Sequence, residues 1–541
     1  MKRYVWLWTL VVTMFWFSCY DDKGNYDYHD INSVEIVDVN IDNQRAYLGD
    51  VITFTPELEF ALDSMALNFD YKWELDGKVL GTERVLEWTA DTAGMFWEGF
   101  VFTVTDTELD ISYVYDQISF QVMDPYVVNN AGWVVLSEVN GTSRLSLIQD
   151  VYDYEQDEPE YMPIVDLDMY AKCNNGESLG GKPLGLGLIW TTPEWFFDEA
   201  ISQVLVLQEG GPGPVYVDGS NFKKSIAVSE EFFSGVLPSG ESFTMVEDHT
   251  HVTALYTSDG DMYLRIKEDP AIIFSGKFDQ PQAIDKGMKI THHAAVRGYE
   301  APSALLFDAA NSRFLVLYDV TDNSWEGDIY VKNGALREIV EDDNLTTTSL
   351  KNMGDVDMLY VGPYLGTDWE NHYLLVYRDN NVESVNCGKV VVQDIRLSQD
   401  YGSSIVTYKV LPEWEIPFPG EVYLNGNTVF AAARTDAEIL FFSGGANNSL
   451  LYAWPYEGDN GGTVAPRAIF DFEGAAIKHI CVSAYNNMLV AVEDGSVYQF
   501  DVTEQMLKEG GIKENSWWYK YEENFGNVCA LLRLPSVAND W

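Results

Sequence analysis

Basic residues are scarce in this chain. Lys and Arg number 33 against 85 Asp and Glu, a formal net charge of −52. A surface so acidic is repelled by phosphate backbones, which argues against a nucleic-acid partner. It is equally repelled by anionic lipid, so membrane attachment would need an anchor rather than a basic patch. Cysteine is rare, at five residues, with no CxxC and no zinc-ligand spacing. Cys481 and Cys529 sit in apolar runs and read as small buried hydrophobes. Cys173 and Cys387 lie in polar turns. There is no GxSxG, no HExxH, no P-loop, no GxGxxG opening a helix and no sialidase-type Asp box. Helical periodicity is missing apart from a short turn near Glu504 to Glu509. Beyond residue 18 no apolar run approaches the roughly 20 residues that span a bilayer.

Aromatic residues are plentiful, at 14% of 541 residues, and favour β-structure. A chain of this length holds two to four domains at roughly 150 residues each. Its N-terminus joins Lys2 and Arg3 to an apolar run from Tyr4 to Phe17, so residues 1–18 read as a signal peptide. Ser18-Cys19-Tyr20-Asp21-Asp22 follows. Ser18-Cys19 resembles a bacterial lipobox, although Trp16 stands where an aliphatic residue is usual. That resemblance implies lipidation of Cys19. Asp21 and Asp22 resemble the signal that sends Bacteroidetes lipoproteins to the outer face of the outer membrane. Residues 19–32 read as an acidic tether, polar and rich in Asp and Asn.

Residues 33–124 alternate in the manner of half-buried strands. Tyr71 and Trp73 share one strand face, and the Asp76-Gly77 turn follows. Trp73 is expected to pack between two sheets. The run Tyr71-Lys72-Trp73-Glu74-Leu75-Asp76-Gly77, with Gly94-Met95-Phe96 and a strand ending Thr105-Asp106, resembles an immunoglobulin-like domain of the PKD type. With Cys19 and its acidic sequel, the N-terminal quarter is similar to PKD-like lipoproteins of Bacteroidetes. The resemblance implies a spacer or contact module without a catalytic set.

Asp124-Pro125 reads as a boundary. Across 126–541 a unit recurs: apolar strand, turn of Gly, Asn or Asp, second strand. The copies begin at Gly132, Val204, Thr253, Ala304, Tyr373, Glu438 and Met488. Asn and Gly suit tight hairpins because they tolerate positive φ. Seven hairpins with this spacing predict an all-β chain: the Ig-like sandwich, then a seven-bladed β-propeller. A row of β-sandwiches is the alternative. Pairing of Val127-Val128 or Val134-Val135 with the strand near Cys529 to Leu532 would close the ring.

Candidate chemistry is thin. His249 and His251 lie on one face beside Asp248 and are weak metal candidates, with no third ligand evident. No cofactor is implied. Trp190, Trp195, Trp325, Trp369 and Trp414 sit among Pro and polar residues and are candidate faces for stacking on sugars or gripping peptides. The family resemblance implies a place beside a TonB-dependent transporter and its SusD-like partner. The resulting expectation is a non-catalytic outer-membrane lipoprotein that captures a glycan or peptide. The alternatives are a glycan-cleaving propeller enzyme and an adhesive protein-interaction module.

Overall fold

The computed structural model describes residues 33–61, 69–92, 94–96, 99–123, 132–150, 152–153, 160–190, 202–268, 272–295, 303–319, 334–341, 345–365, 371–400, 407–433, 438–456, 464–483, 487–502 and 518–534. The chain divides into two compact units, Met1–Pro125 and Tyr126–Trp541.

The first unit is a β-sandwich. One four-stranded sheet orders Lys78–Gly81, Phe69–Leu75, Phe100–Asp106 and Ile111–Tyr115. Across the core lie Val34–Ile41, Val51–Phe60 and Leu86–Thr89, and a second trio of Arg45–Tyr47, Phe120–Met123 and Gly94–Phe96. Trp73 is fully buried between them, 4.3 Å from the Phe102 ring and 5.7 Å from Phe54. Its indole N–H donates to the Glu83 carbonyl at 3.0 Å. Asp76 (φ 51°) and Gly77 (φ 80°) form the two-residue turn between the first two strands. That double positive φ is what a tight hairpin demands, and Asp and Gly are residues that supply it.

The second unit is a seven-bladed β-propeller of four-stranded antiparallel sheets. From axis to rim, blade 1 is Asn527–Leu534, Gly132–Val139, Thr142–Gln149 and Ile164–Asp166. Blade 2 is Lys182–Trp190, Ser202–Glu209, Val215–Asp218 and Lys224–Ala227. Blade 3 is Phe243–Asp248, Val252–Thr257, Met262–Ile266 and Pro281–Gln282. Blade 4 is Ile290–Ala295, Ser303–Asp308, Arg313–Tyr318 and Leu336–Glu338. Blade 5 is Val356–Leu365, Asn371–Asp379, Val390–Asp400 and Thr407–Pro417. Blade 6 is Phe430–Ala432, Ile439–Gly444, Leu450–Pro455 and Arg467–Asp471. Blade 7 is Ile477–Val482, Asn487–Val492, Val497–Asp501 and Trp518–Lys520.

Each sequence hairpin is the middle pair of one blade. Those strands are buried on both faces, as in Val252–Thr257 and Ile439–Gly444, so they read as continuous apolar runs. The last strand of the chain closes the ring. Val134 pairs with Leu532 and Val135 with Leu531, so the C-terminal strand is the innermost strand of the first blade. No edge is left open at that join.

Blades 2 and 3 approach closely because two glycines permit it. A Cβ on Gly187 would lie 1.8 Å from Val246 Cγ1, and one on Gly185 would lie 2.5 Å from the Thr244 carbonyl. Two details depart from the sequence expectation. Cys481 and Cys529 are half-buried, because they sit on innermost strands whose free edge faces the axis. A short helix, Met169–Cys173, follows blade 1, with the Asp168 side chain accepting from the Ala171 N–H. It is too short to produce a periodicity.

Candidate functional site

The turn joining the first two strands of blade 3 carries Asp248-His249-Thr250-His251. Asp248 is buried, at 1% exposure. Its Oδ1 accepts from the Thr253 hydroxyl at 2.6 Å, and its Oδ2 accepts from Lys267 Nζ at 3.1 Å. Lys267 Nζ also donates to the His249 carbonyl at 2.7 Å. Both side chains of this ion pair are fully buried. Lys267 therefore staples the turn from the end of the third strand. One layer away, Arg265 donates to Thr253 Oγ1 at 2.8 Å and pairs with Glu231, which enters from the connection after blade 2. Burial lowers the Arg265 pKa. The Tyr216 hydroxyl of blade 2 is pushed up to about 12 by the same burial.

The other side of blade 3 faces blade 4. Asp319 Oδ1 accepts from the His251 backbone N–H at 2.9 Å and lies 3.0 Å from its Nδ1. His293 Nδ1 of blade 4 lies 2.5 Å from Glu247 Oε1 of blade 3. The His293 ring stacks on Tyr256, with centroids 4.6 Å apart. His292 faces the opposite way, near Phe307. Burial, then the neighbouring His293, holds the His292 pKa down to about 4. On the outer rim of this seam a cleft of about 480 Å³ is lined by Leu264, Ile266, Ile284, Leu336 and Arg337 among others.

Two further polar clusters lie on the same face of the ring. In blade 5, His372 Nδ1 lies 3.1 Å from Asp394 Oδ2. Burial raises the Asp394 pKa, while His372 and Tyr364 oppose the shift. At the ring closure, Arg533 donates to Asp150 Oδ2 at 2.5 Å, and Tyr161 donates to Asp150 Oδ1 at 2.7 Å. The Arg533 guanidinium also lies over the Trp133 ring, 4.8 Å from its centroid.

The weak metal candidates are thus placed in a seam. His251 engages Asp319, and His249 is buried with no hydrogen-bond partner at Nε2. Among the described residues, no group of three or more His, Cys, Asp or Glu could hold a metal ion. Trp414 is half-buried, packing edge-on against Trp454 with ring centroids 6.4 Å apart and at a tilt against Tyr456 at 5.9 Å. Trp190 ends the innermost strand of blade 2, and its side chain lies outside the described residues. Trp195, Trp325, Trp369, Cys19, Asp21 and Asp22 also lie outside them. Sequence reasoning missed Lys267, Arg265 and Asp319. The signal was present in Met262-Tyr-Leu-Arg-Ile-Lys267, where two cations interrupt an apolar strand.

A model of the PKD-like family matches residues 19–183, which includes the sandwich and the first strands of the propeller. No curated protein matches the chain. Solved structures are similar to the chain only at low identity and low TM-score. Prp20p from Saccharomyces cerevisiae is 11% identical, with 76% of this chain and 88% of that chain covered and a TM-score of 0.33. Human WBSCR16 is 9% identical, with 69% and 88% covered and a TM-score of 0.32. Hsv2p from Kluyveromyces lactis is 9% identical, with 74% and 99% covered and a TM-score of 0.33.

Proposed function

We propose that this chain is a non-catalytic binding accessory on the outer face of an outer membrane. It is held by lipid on Cys19, and it captures a peptide or protein segment for a TonB-dependent transporter with a SusD-like partner. The observation that carries the binding role is the pairwise use of ionisable groups. Lys267 with Asp248, Arg265 with Glu231, His251 with Asp319, His293 with Glu247 and His372 with Asp394 each engage one another inside the blades or the seams between them. Groups committed in this way hold blades together and leave the surface to recognition. General acid–base work asks for such groups to converge on a substrate. The N-terminal PKD-like match supports a spacer role for the first unit. Trp414, the one candidate tryptophan whose side chain is described, packs against Trp454 and Tyr456, which argues against its own use as a free sugar-stacking face.

The test is binding and turnover by the purified protein against panels of peptides and glycans. Peptide binding without turnover is expected. Turnover of any member overturns the reading. Cys19→Ala is expected to release the protein from the membrane fraction, and its retention there would overturn the anchor.

A further inference from the structure

The most exposed large apolar side chains among the described residues gather at one place. Val385 is 90% exposed, Val382 89% and Val422 83%. Val382 and Val385 lie on residues 380–389, which join the second and third strands of blade 5. The same joint in blades 1 and 7 needs only 140–141 and 493–496. Val422 lies on the 3-10 turn Glu421–Tyr423, between blades 5 and 6. In an antiparallel blade both connections emerge on the same face of the ring. Arg378 joins them directly, since its Nη1 donates to the Gly388 carbonyl and to Glu421 Oε1, each at 3.0 Å.

The valines are presented by an ordered scaffold. Within the loop, the N–H groups of Ser384, Cys387 and Lys389 donate to the carbonyls of Asn381, Ser384 and Asn386. Asn381 Nδ2 donates to Asp379 Oδ1 at 2.8 Å and to the Met353 carbonyl at 2.9 Å, while its Oδ1 accepts from the Asp355 N–H at 2.7 Å. Asn386 Nδ2 donates to Glu415 at 3.2 Å. A loop backbone already held by hydrogen bonds costs less to order on binding, which is how a pre-organised contact surface behaves. Isolated exposed valines need no explanation, but three on two hydrogen-bonded neighbouring connections do.

We infer that Val382, Val385 and Val422 form a docking knob for a protein segment with an apolar centre and a basic rim. The inference rests on the reading that the propeller captures a peptide or protein. Charge selects the occupant. Asp355, Asp357 and Glu383 stand exposed around the valines against Lys351 and Lys389, Arg378 is paired with Glu421, and the chain as a whole carries −52. A second copy of this chain would meet that field with the same sign. A cationic partner is drawn in by it.

The experiment pans the full protein against a displayed library of random short peptides. It compares the wild type with Val382→Asp/Val385→Asp/Val422→Asp. Enriched peptides are expected to join aliphatic or aromatic residues to Lys or Arg, and to bind more weakly as salt rises. Their affinity for the triple variant is expected to fall at least about tenfold. A serine triple, with its melting temperature checked against the wild type, separates lost contact from lost fold. An environment-sensitive dye on the exposed Cys387 is expected to shift blue on peptide binding. Peptides that bind the aspartate triple undiminished, or enriched peptides that are acidic, overturn the knob but leave peptide capture standing. Glycan binding with no peptide enriched overturns both.

Discussion

Lys267→Met is the sharpest probe of the seam chemistry. The ammonium is fully buried and makes two contacts, to Asp248 Oδ2 at 3.1 Å and to the His249 carbonyl at 2.7 Å. Removing it leaves a buried carboxylate with the Thr253 hydroxyl, and a turn carbonyl without its donor. Both bonds are donated by the charged ammonium, and a hydrogen bond involving a charged group contributes about 1.5–3 kcal/mol. Together these give about 3–6 kcal/mol, which overlaps the roughly 3–5 kcal/mol found when one member of a buried pair is deleted. The second step is Lys267→Met with Asp248→Leu. An apolar pair of similar volume removes the stranded charge and leaves mainly the His249 carbonyl, so about 1–3 kcal/mol remains lost. The two singles should therefore sum to more than the double. Urea unfolding followed by tryptophan fluorescence and calorimetry measures all four proteins. Additivity of the two singles, or a Lys267→Met loss below about 1 kcal/mol, would refute the claim that the pair staples the turn.

Other outcomes follow from particular contacts. Gly187→Ala places a methyl 1.8 Å from Val246 Cγ1 and should cost about 1–3 kcal/mol, with Val246→Ala restoring part of it; an unchanged melt would contradict the close approach of blades 2 and 3. His292 binds its proton more weakly when folded, at about 4, than at the ordinary 6.5. Its contribution is fully present above pH 6.5 and is lost as pH falls from there towards 4, by up to about 3 kcal/mol. The stability difference between wild type and His292→Gln should therefore change across that window, and a pH-independent difference would refute it. Deleting 527–541 removes the innermost strand of the first blade and should abolish cooperative unfolding of the propeller, as read by calorimetry; a retained single transition would show that the ring closes without it.

Some of this architecture is written locally and some is not. The seven hairpins are legible because their strands are buried on both faces, and because Asn-Gly and Asp-Gly report positive φ directly. Both residues of Asn140-Gly141 have positive φ, and in Asp494-Gly495 the glycine does. Trp73 is legible as a core residue because alternation places it with Tyr71 on one strand face. The rim strands are much less legible. Pro281–Gln282 is exposed and Leu336–Glu338 buries Leu336 alone, and both are too short for a pattern to form. The seam contacts are harder still. Asp319 meets His251 across 68 positions, and Arg533 meets Asp150 across 383. No local period encodes a partner at such a distance.

The sequence by itself determined the β-class, the number of hairpins and the acidic field, since each follows from residue type and near neighbours. Only the tertiary structure decided which charges are spent on one another and which apolar side chains stay in water. Val382 and Val385 lie in Asn-Val-Glu-Ser-Val-Asn, a run that reads as an unremarked polar loop. Their exposure depends on the loop's anchors at Arg378, Asn381 and Asn386, and those anchors reach residues 353, 415 and 421. Burial is a property of the packed surroundings, and the blade's closure supplies those surroundings.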